Sequence, residues 1–150
     1  MIDWTIESKK LFNLHKPEHF TNFRHCDECE EHDQALRNAD VNSIGMSELG
    51  HPSWDPLCFS SVEGKLYYMP ALIRLCIDTL YRQDSYLEQF LFHLEGGEAD
   101  NELVLACSQQ QREFIAAFLE YLIHNHADAI EQHQFTTDNI LRVYDIWIAR

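Results

Sequence analysis

The segment HCDECEEHD, residues 25–33, concentrates side chains that could do chemistry. Thiolate and imidazole are the preferred ligands of zinc, and C-x-x-C is a common ligand spacing. On one helix, Cys26 with Cys29, or Cys29 with His32 or Asp33, can direct two donors at one ion. Three ligands spread over i to i+7 span about 10 Å and cannot all reach it. Such a pair is half a site. The nearest candidates to complete it are His51, Asp55 and Cys58, some twenty residues on. The metal candidates are therefore Cys26, Cys29, His32, Asp33, His51 and Cys58, and the cofactor is either none or one zinc ion. A structural reading stands beside this one. Cys packs as a small hydrophobe, His and Asp close hydrogen bonds to a loop laid across them, and the carboxylates form a solvated face. A redox pair at Cys26 and Cys29 is disfavoured, because a reactive C-x-x-C wants a helix N-terminus or cationic neighbours. The helix expected here places the pair mid-helix among carboxylates.

That helix is expected from Pro17, a residue suited to a first helical position, to about Asn38. At 100° per residue His25, Cys29, His32 and Leu36 share one stripe, where a core helix would offer leucines. Residues 40–60 read as one long ordered loop with turn signals at Gly45, Gly50 and Pro52, and Pro56. Its length favours a function or a wrap over the core. In Trp54-Asp55-Pro56 the expectation is an Asx turn with Trp54 inserted into the core. Ser60 with Glu63, Ser85 with Glu88, and Ser108 with Gln111 are spaced as capping boxes. The first opens an apolar helix through Leu66, Ile73, Cys76 and Leu80, with Pro70 as a kink or first turn. The second opens one that ends at Gly96-Gly97. The third opens a long helix to about Ala127 or Ile130. Leu103-Val104-Leu105 suits a short extended piece, and a last helix runs from Thr136 or Thr137 through Trp147. The expected fold is all-α: a single-domain compact helical bundle of about five helices over residues 1–150.

The 150 residues are 45% hydrophobic and 24% charged, enough for a packed core and unlike a disordered chain. Eleven Lys and Arg against 25 Asp and Glu give a formal charge of -14. Such a surface repels nucleic acid and anionic membrane. The start carries Asp3 and Glu7 and does not read as a secretory signal. No apolar run approaches the roughly 20 residues of a membrane span. Five scattered cysteines (26, 29, 58, 76 and 107) suit a reducing compartment, so the chain reads as cytoplasmic.

The acids cluster. Residues 27–40 hold six acids and one Arg, and residues 84–103 hold six acids with no Lys or Arg. Side by side they would make a negative face that speeds association with a basic protein. Its members are Asp27, Glu30, Glu31, Glu88, Glu95, Glu98, Asp100 and Glu102. The leading expectation is a non-enzymatic acidic binding protein engaging a basic partner, of the immunity or inhibitor kind; the alternative is a zinc-binding protein, structural or hydrolytic. No phosphate loop, G-x-S-x-G or H-E-x-x-H is present. The His32-Asp33 doublet echoes the HD-type metal phosphohydrolases, but the other ligands of that pattern are poorly supplied.

Taken together, HFTNFRHCDECEEHD, ELGHPSWDPLCF, LYYMPAL and YLEQFLFHL resemble a family of small bacterial proteins known as a domain of unknown function. The likeness runs from His19 to His93, with a weaker echo at CSQQQR. It places Cys26, Cys29, His32, Asp33, Trp54, Asp55 and Pro56 on motif positions, which implies that helix and loop form one unit. It brings no activity with it.

Overall fold

The computed structural model describes residues 1–96, 101–133 and 136–149, and among these there are helices and turns but no strand. The all-α class expected from periodicity is the one observed. The helices are more numerous and shorter than expected: nine α-helices and two 3-10 turns among the described residues. The chain forms two compact units, Met1–Asp78 and Thr79–Arg150.

In the first unit, α1 (Trp4–Leu11) starts on Asp3, whose carboxylate accepts from the Ile6 N–H at 3.1 Å. Irregular chain follows to Cys26, and only then does α2 (Asp27–Asn38) begin, ten residues later than Pro17 suggested. Two physical causes move the start. Thr21, Asn22 and Phe23 are weak helix formers. Phe20 also gains more outside a helix: its ring is buried beside Tyr67 and Tyr68, with centroids 6.2 and 5.4 Å away, and its carbonyl accepts from Ser61 N–H at 2.7 Å. Burying such a ring is worth about 1.5–3 kcal/mol.

The stretch after α2 is built from a short α3 (Met46–Leu49), 3-10 turns at Pro52–Trp54 and Pro56–Phe59, and then α4 (Val62–Thr79). The Asx turn is present, with Asp55 buried and its Oδ1 accepting from Leu57 N–H at 2.9 Å. Trp54 is not in the core. It is 43% exposed, because the tight 3-10 turn turns it outward against His32. The cap of α4 comes from Ser61, whose Oγ accepts from Gly64 N–H at 3.2 Å, one residue after the Ser60 expected. Gly64 is needed there, since a Cβ would lie 2.6 Å from the Phe20 ring. Pro70 lies inside α4 and Cys76 is fully buried on it. Tyr68 on α4 donates to the Leu36 carbonyl at 2.6 Å and so ties α2 down. Burial pushes that phenol far above its usual value and keeps it neutral. Ile44, too, is fixed from α4, its carbonyl accepting from Arg74 Nη2 at 2.7 Å.

The second unit contains α5 (Leu87–Glu95), α6 (Glu102–Ala106), α7 (Gln109–Asn125), α8 (Ala127–Glu131) and α9 (Thr136–Ile148). The Ser108–Gln111 box forms as expected, with reciprocal bonds of 3.2 and 2.9 Å. The Ser85–Glu88 box does not. Tyr86 occupies the N-cap position without a side-chain cap bond, and its own N–H goes to Thr79 Oγ1 at 2.9 Å. Leu103-Val104-Leu105 is helical rather than extended, because Asn101 Oδ1 caps it through Val104 N–H at 3.1 Å. The long helix expected from Ser108 breaks at His126, whose N–H caps back to Leu122 O at 2.9 Å. Phe90 meets Phe118 edge-on at 5.9 Å, and Trp147 Nε1–H donates to Leu94 O at 2.9 Å, joining α9 to the end of α5. No described helix is long and apolar enough to cross a membrane.

Candidate metal centre

Because α2 starts late, the cysteine pair sits at its N-terminus and not at its middle. Cys26 is the N-cap residue, in extended backbone at φ -165° and ψ 171°, and its Sγ accepts from the Cys29 N–H at 3.5 Å. Asp27, Glu28 and Glu30 follow in the first turn, where the helix dipole favours acids. That run of acids was the start signal in the sequence, and reading the helix from Pro17 obscured it.

Three donors converge at this N-terminus. Cys26 Sγ and Cys29 Sγ are 3.4 Å apart, and Cys29 Sγ lies 3.7 Å from His25 Nδ1. All three atoms lie within 4.8 Å of one another. With Zn–S near 2.3 Å and Zn–N near 2.05 Å, a tetrahedral site has S···S edges of about 3.8 Å and S···N edges of about 3.6 Å. The two measured edges fall within a few tenths of an ångström of these. His25 and Cys26 are exposed and Cys29 is half-buried, so a fourth position would open to solvent.

The two thiols are driven in opposite directions. Cys26 is held below the ordinary thiol value, first by the backbone N–H of Cys29, then by hydrogen bonds with His25 and the Cys29 thiol. Cys29 is pushed up, first by its hydrogen bond to Cys26, then by burial and by the charges of Cys26 and Glu28. The direction at Cys26 follows from the helix terminus itself, which stabilises negative charge. A cation would bring both thiols to thiolate.

The other expected ligands lie outside this trio. Asp33 is buried, and its Oδ1 accepts from the N–H groups of Phe20 at 2.6 Å and Thr21 at 3.1 Å, while Oδ2 meets His19 Nδ1 at 2.8 Å. Burial pushes its carboxyl up. The His19 imidazole and the two N–H groups outweigh that and hold it below the ordinary carboxylate value. His32 is buried between Trp54 and Phe59, both ring centroids 4.5 Å away, with the Phe59 ring stacked at 11°. Neither of its nitrogens has a hydrogen-bond partner among the described residues, although Nε2 comes within 3.5 Å of Glu28 Oε1. Within the doublet, His32 packs between two rings and Asp33 anchors the backbone of residues 20 and 21. His51 is exposed and does not join the trio. Cys58 does not join it either. That residue is exposed as a whole, yet partial burial of its thiol and the nearby Asp55 raise its pKa. His25 was the donor missed in the sequence, although a histidine directly preceding C-x-x-C was the available signal.

Of the acids expected to meet a partner, Asp27, Glu30 and Glu31 are exposed on α2 and line an open depression with Gln34. Glu88 and Glu102 are exposed in the second unit, and Glu95 pairs with Arg142 at 2.9 Å. Glu98 and Asp100 lie outside the described residues. Cys29 itself is held from the preceding chain, its carbonyl accepting from Thr21 Oγ1 at 2.6 Å. No family model, curated protein or solved structure matches the chain, so the geometry carries the functional argument.

Proposed function

We propose that this chain is a metal-binding protein in which His25, Cys26 and Cys29 hold one zinc-type ion at the N-terminus of α2. The convergence of three donors within 4.8 Å of one another, two of their edges close to tetrahedral zinc distances, is the observation that carries the reading. Two soft thiolates and an imidazole select zinc over magnesium or calcium, which prefer oxygen. Three protein ligands leave one position for water or an external donor, and the exposure of His25 and Cys26 suits exchange more than a buried structural staple. The carboxylates of Asp27, Glu28 and Glu30 add a local negative potential that attracts a cation. The test is metal analysis of the full-length protein, followed by reconstitution with Co(II). About one equivalent bound, with a thiolate-to-cobalt charge-transfer band that is lost in Cys26→Ser and Cys29→Ser, is the expected result. Less than about a tenth of an equivalent under reducing conditions overturns it.

A second reading keeps the acidic surface as a docking element for a basic protein. It is favoured by the exposure of Asp27, Glu30 and Glu31 on one short stretch of helix. Its mark is a specific complex whose association rate falls steeply with salt. A native pull-down that returns no protein partner counts against it. The two readings are compatible.

A further inference from the structure

We propose that Cys26 and Cys29 are also a working dithiol, which closes to a disulfide by exchange with a low-molecular-weight disulfide and thereby expels the bound ion. The exchange stands on the sulfur geometry alone, whereas the expulsion rests on the metal reading above.

The two sulfurs are 3.4 Å apart, so closure to a bond of about 2.05 Å needs a movement of only about 1.4 Å. Cys26 can supply that movement. It lies in extended backbone just outside the helix, where side-chain rotation does not disturb the helical hydrogen bonds. The two thiols also differ in access. Cys26 is exposed and open to an incoming disulfide, while Cys29 is half-buried one turn behind it. The Cys29 N–H, pointing at Cys26 Sγ, supports negative charge on the sulfur that must attack.

The exchange balances in two steps. The Cys26 thiolate attacks one sulfur of R–S–S–R. A mixed disulfide of Cys26 and R–S forms, the S–S bond of the reagent breaks, and the other R–S⁻ leaves and is protonated by water. Cys29 then loses its proton to His25 Nδ1, 3.7 Å away, and its sulfur attacks Cys26 Sγ. The Cys26–Cys29 bond forms as the second R–S⁻ departs and takes up a proton. Two protein thiols are oxidised, and one external disulfide is reduced to two thiols. With both sulfurs in a disulfide only His25 remains as a donor, and one imidazole does not retain zinc.

A mid-helix position would disfavour this chemistry, and the N-cap position of Cys26 supplies instead the helix N-terminus that a reactive pair uses, with the carboxylates of Asp27, Glu28 and Glu30 still beside it. Cys76 and Cys107 are buried, which leaves Cys58 as the one other exposed cysteine among the described residues.

The experiment uses the full chain in a Cys58→Ser background, equilibrated in glutathione buffers from reducing to oxidising, both apo and zinc-loaded. Disulfide is read by peptide mass mapping and zinc by a chromogenic chelator. The expected result is a Cys26–Cys29 disulfide in the apo protein and release of one zinc per disulfide formed in the loaded protein. Cys29→Ser should stop at a stable glutathione adduct on Cys26. Absence of the intramolecular disulfide at fully oxidising ratios overturns the proposal. If the apo protein forms the disulfide but takes up no zinc, the exchange stands and the metal reading fails. If zinc binds and stays bound while no disulfide forms, the reverse holds.

Discussion

Replacing Asp33 with Ala removes the acceptor that holds residues 19–21 against α2. Three bonds go at once: from Phe20 N–H at 2.6 Å, from Thr21 N–H at 3.1 Å, and the contact with His19 Nδ1 at 2.8 Å. Hydrogen bonds to a charged partner contribute about 1.5–3 kcal/mol each. Phe20 is buried, so its N–H is left without compensation, whereas Thr21 and His19 are half-exposed and recover part of the loss from water. The expected cost is therefore about 3–4 kcal/mol, below the simple sum of three such bonds. Asp33→Asn keeps one oxygen for the two backbone donors and should cost only about 1–2 kcal/mol. Urea unfolding followed by helical circular dichroism at neutral pH measures both. The pH dependence follows from the lowered carboxyl. Its folded value lies below an unfolded value near 3.9, so the stabilisation is complete above about pH 4 and disappears as pH falls through the folded value. The gap between wild type and the Ala variant should accordingly narrow below about pH 4. A variant within about 1 kcal/mol of wild type, or a gap that persists into acid, refutes the anchoring role.

Other consequences can be checked alongside. Tyr68→Phe leaves the buried Leu36 carbonyl without its donor and should cost about 1–2 kcal/mol in the same urea assay. Gly96 has φ 64° and faces the Asn101 side chain, which a Cβ would meet at 2.8 Å; Gly96→Ala should lower stability by about 1–3 kcal/mol. His25→Ala should weaken zinc affinity by about tenfold or more while leaving the urea midpoint of the apo protein unchanged, since the side chain is exposed. Zinc uptake by the wild type should release protons and weaken as pH falls, because the thiol raised at Cys29 must give up its proton to bind. A chelator competition across pH reads that slope directly.

Much of the fold is legible in strong local signals. Ser108 and Gln111 mark the start of α7, and the apolar run around Leu72 and Cys76 marks a buried helix. Gly96 marks the end of α5. What the sequence hides is where tertiary bonds override local preference. Pro17 and Glu18 look like a helix start, yet Phe20 and Thr21 give their N–H groups to a carboxylate thirteen and twelve residues away. No periodicity reports a bond of that kind. The same bond decided the candidate site. Once α2 was displaced to Asp27, Asp33 became an anchor, His32 became a ring in an aromatic stack, and Cys26 became a cap next to His25. The C-x-x-C spacing was visible from the start, whereas its partner depended on a helix boundary shifted by ten residues.

The Asp33 tether also bears on mild acid. Its depressed carboxyl keeps the Phe20 and Thr21 N–H groups fastened to α2 there, and with them the Thr21 hydroxyl on the Cys29 carbonyl. The backbone that frames Cys26 and Cys29 is thus clamped by a carboxylate that stays ionised well into acid.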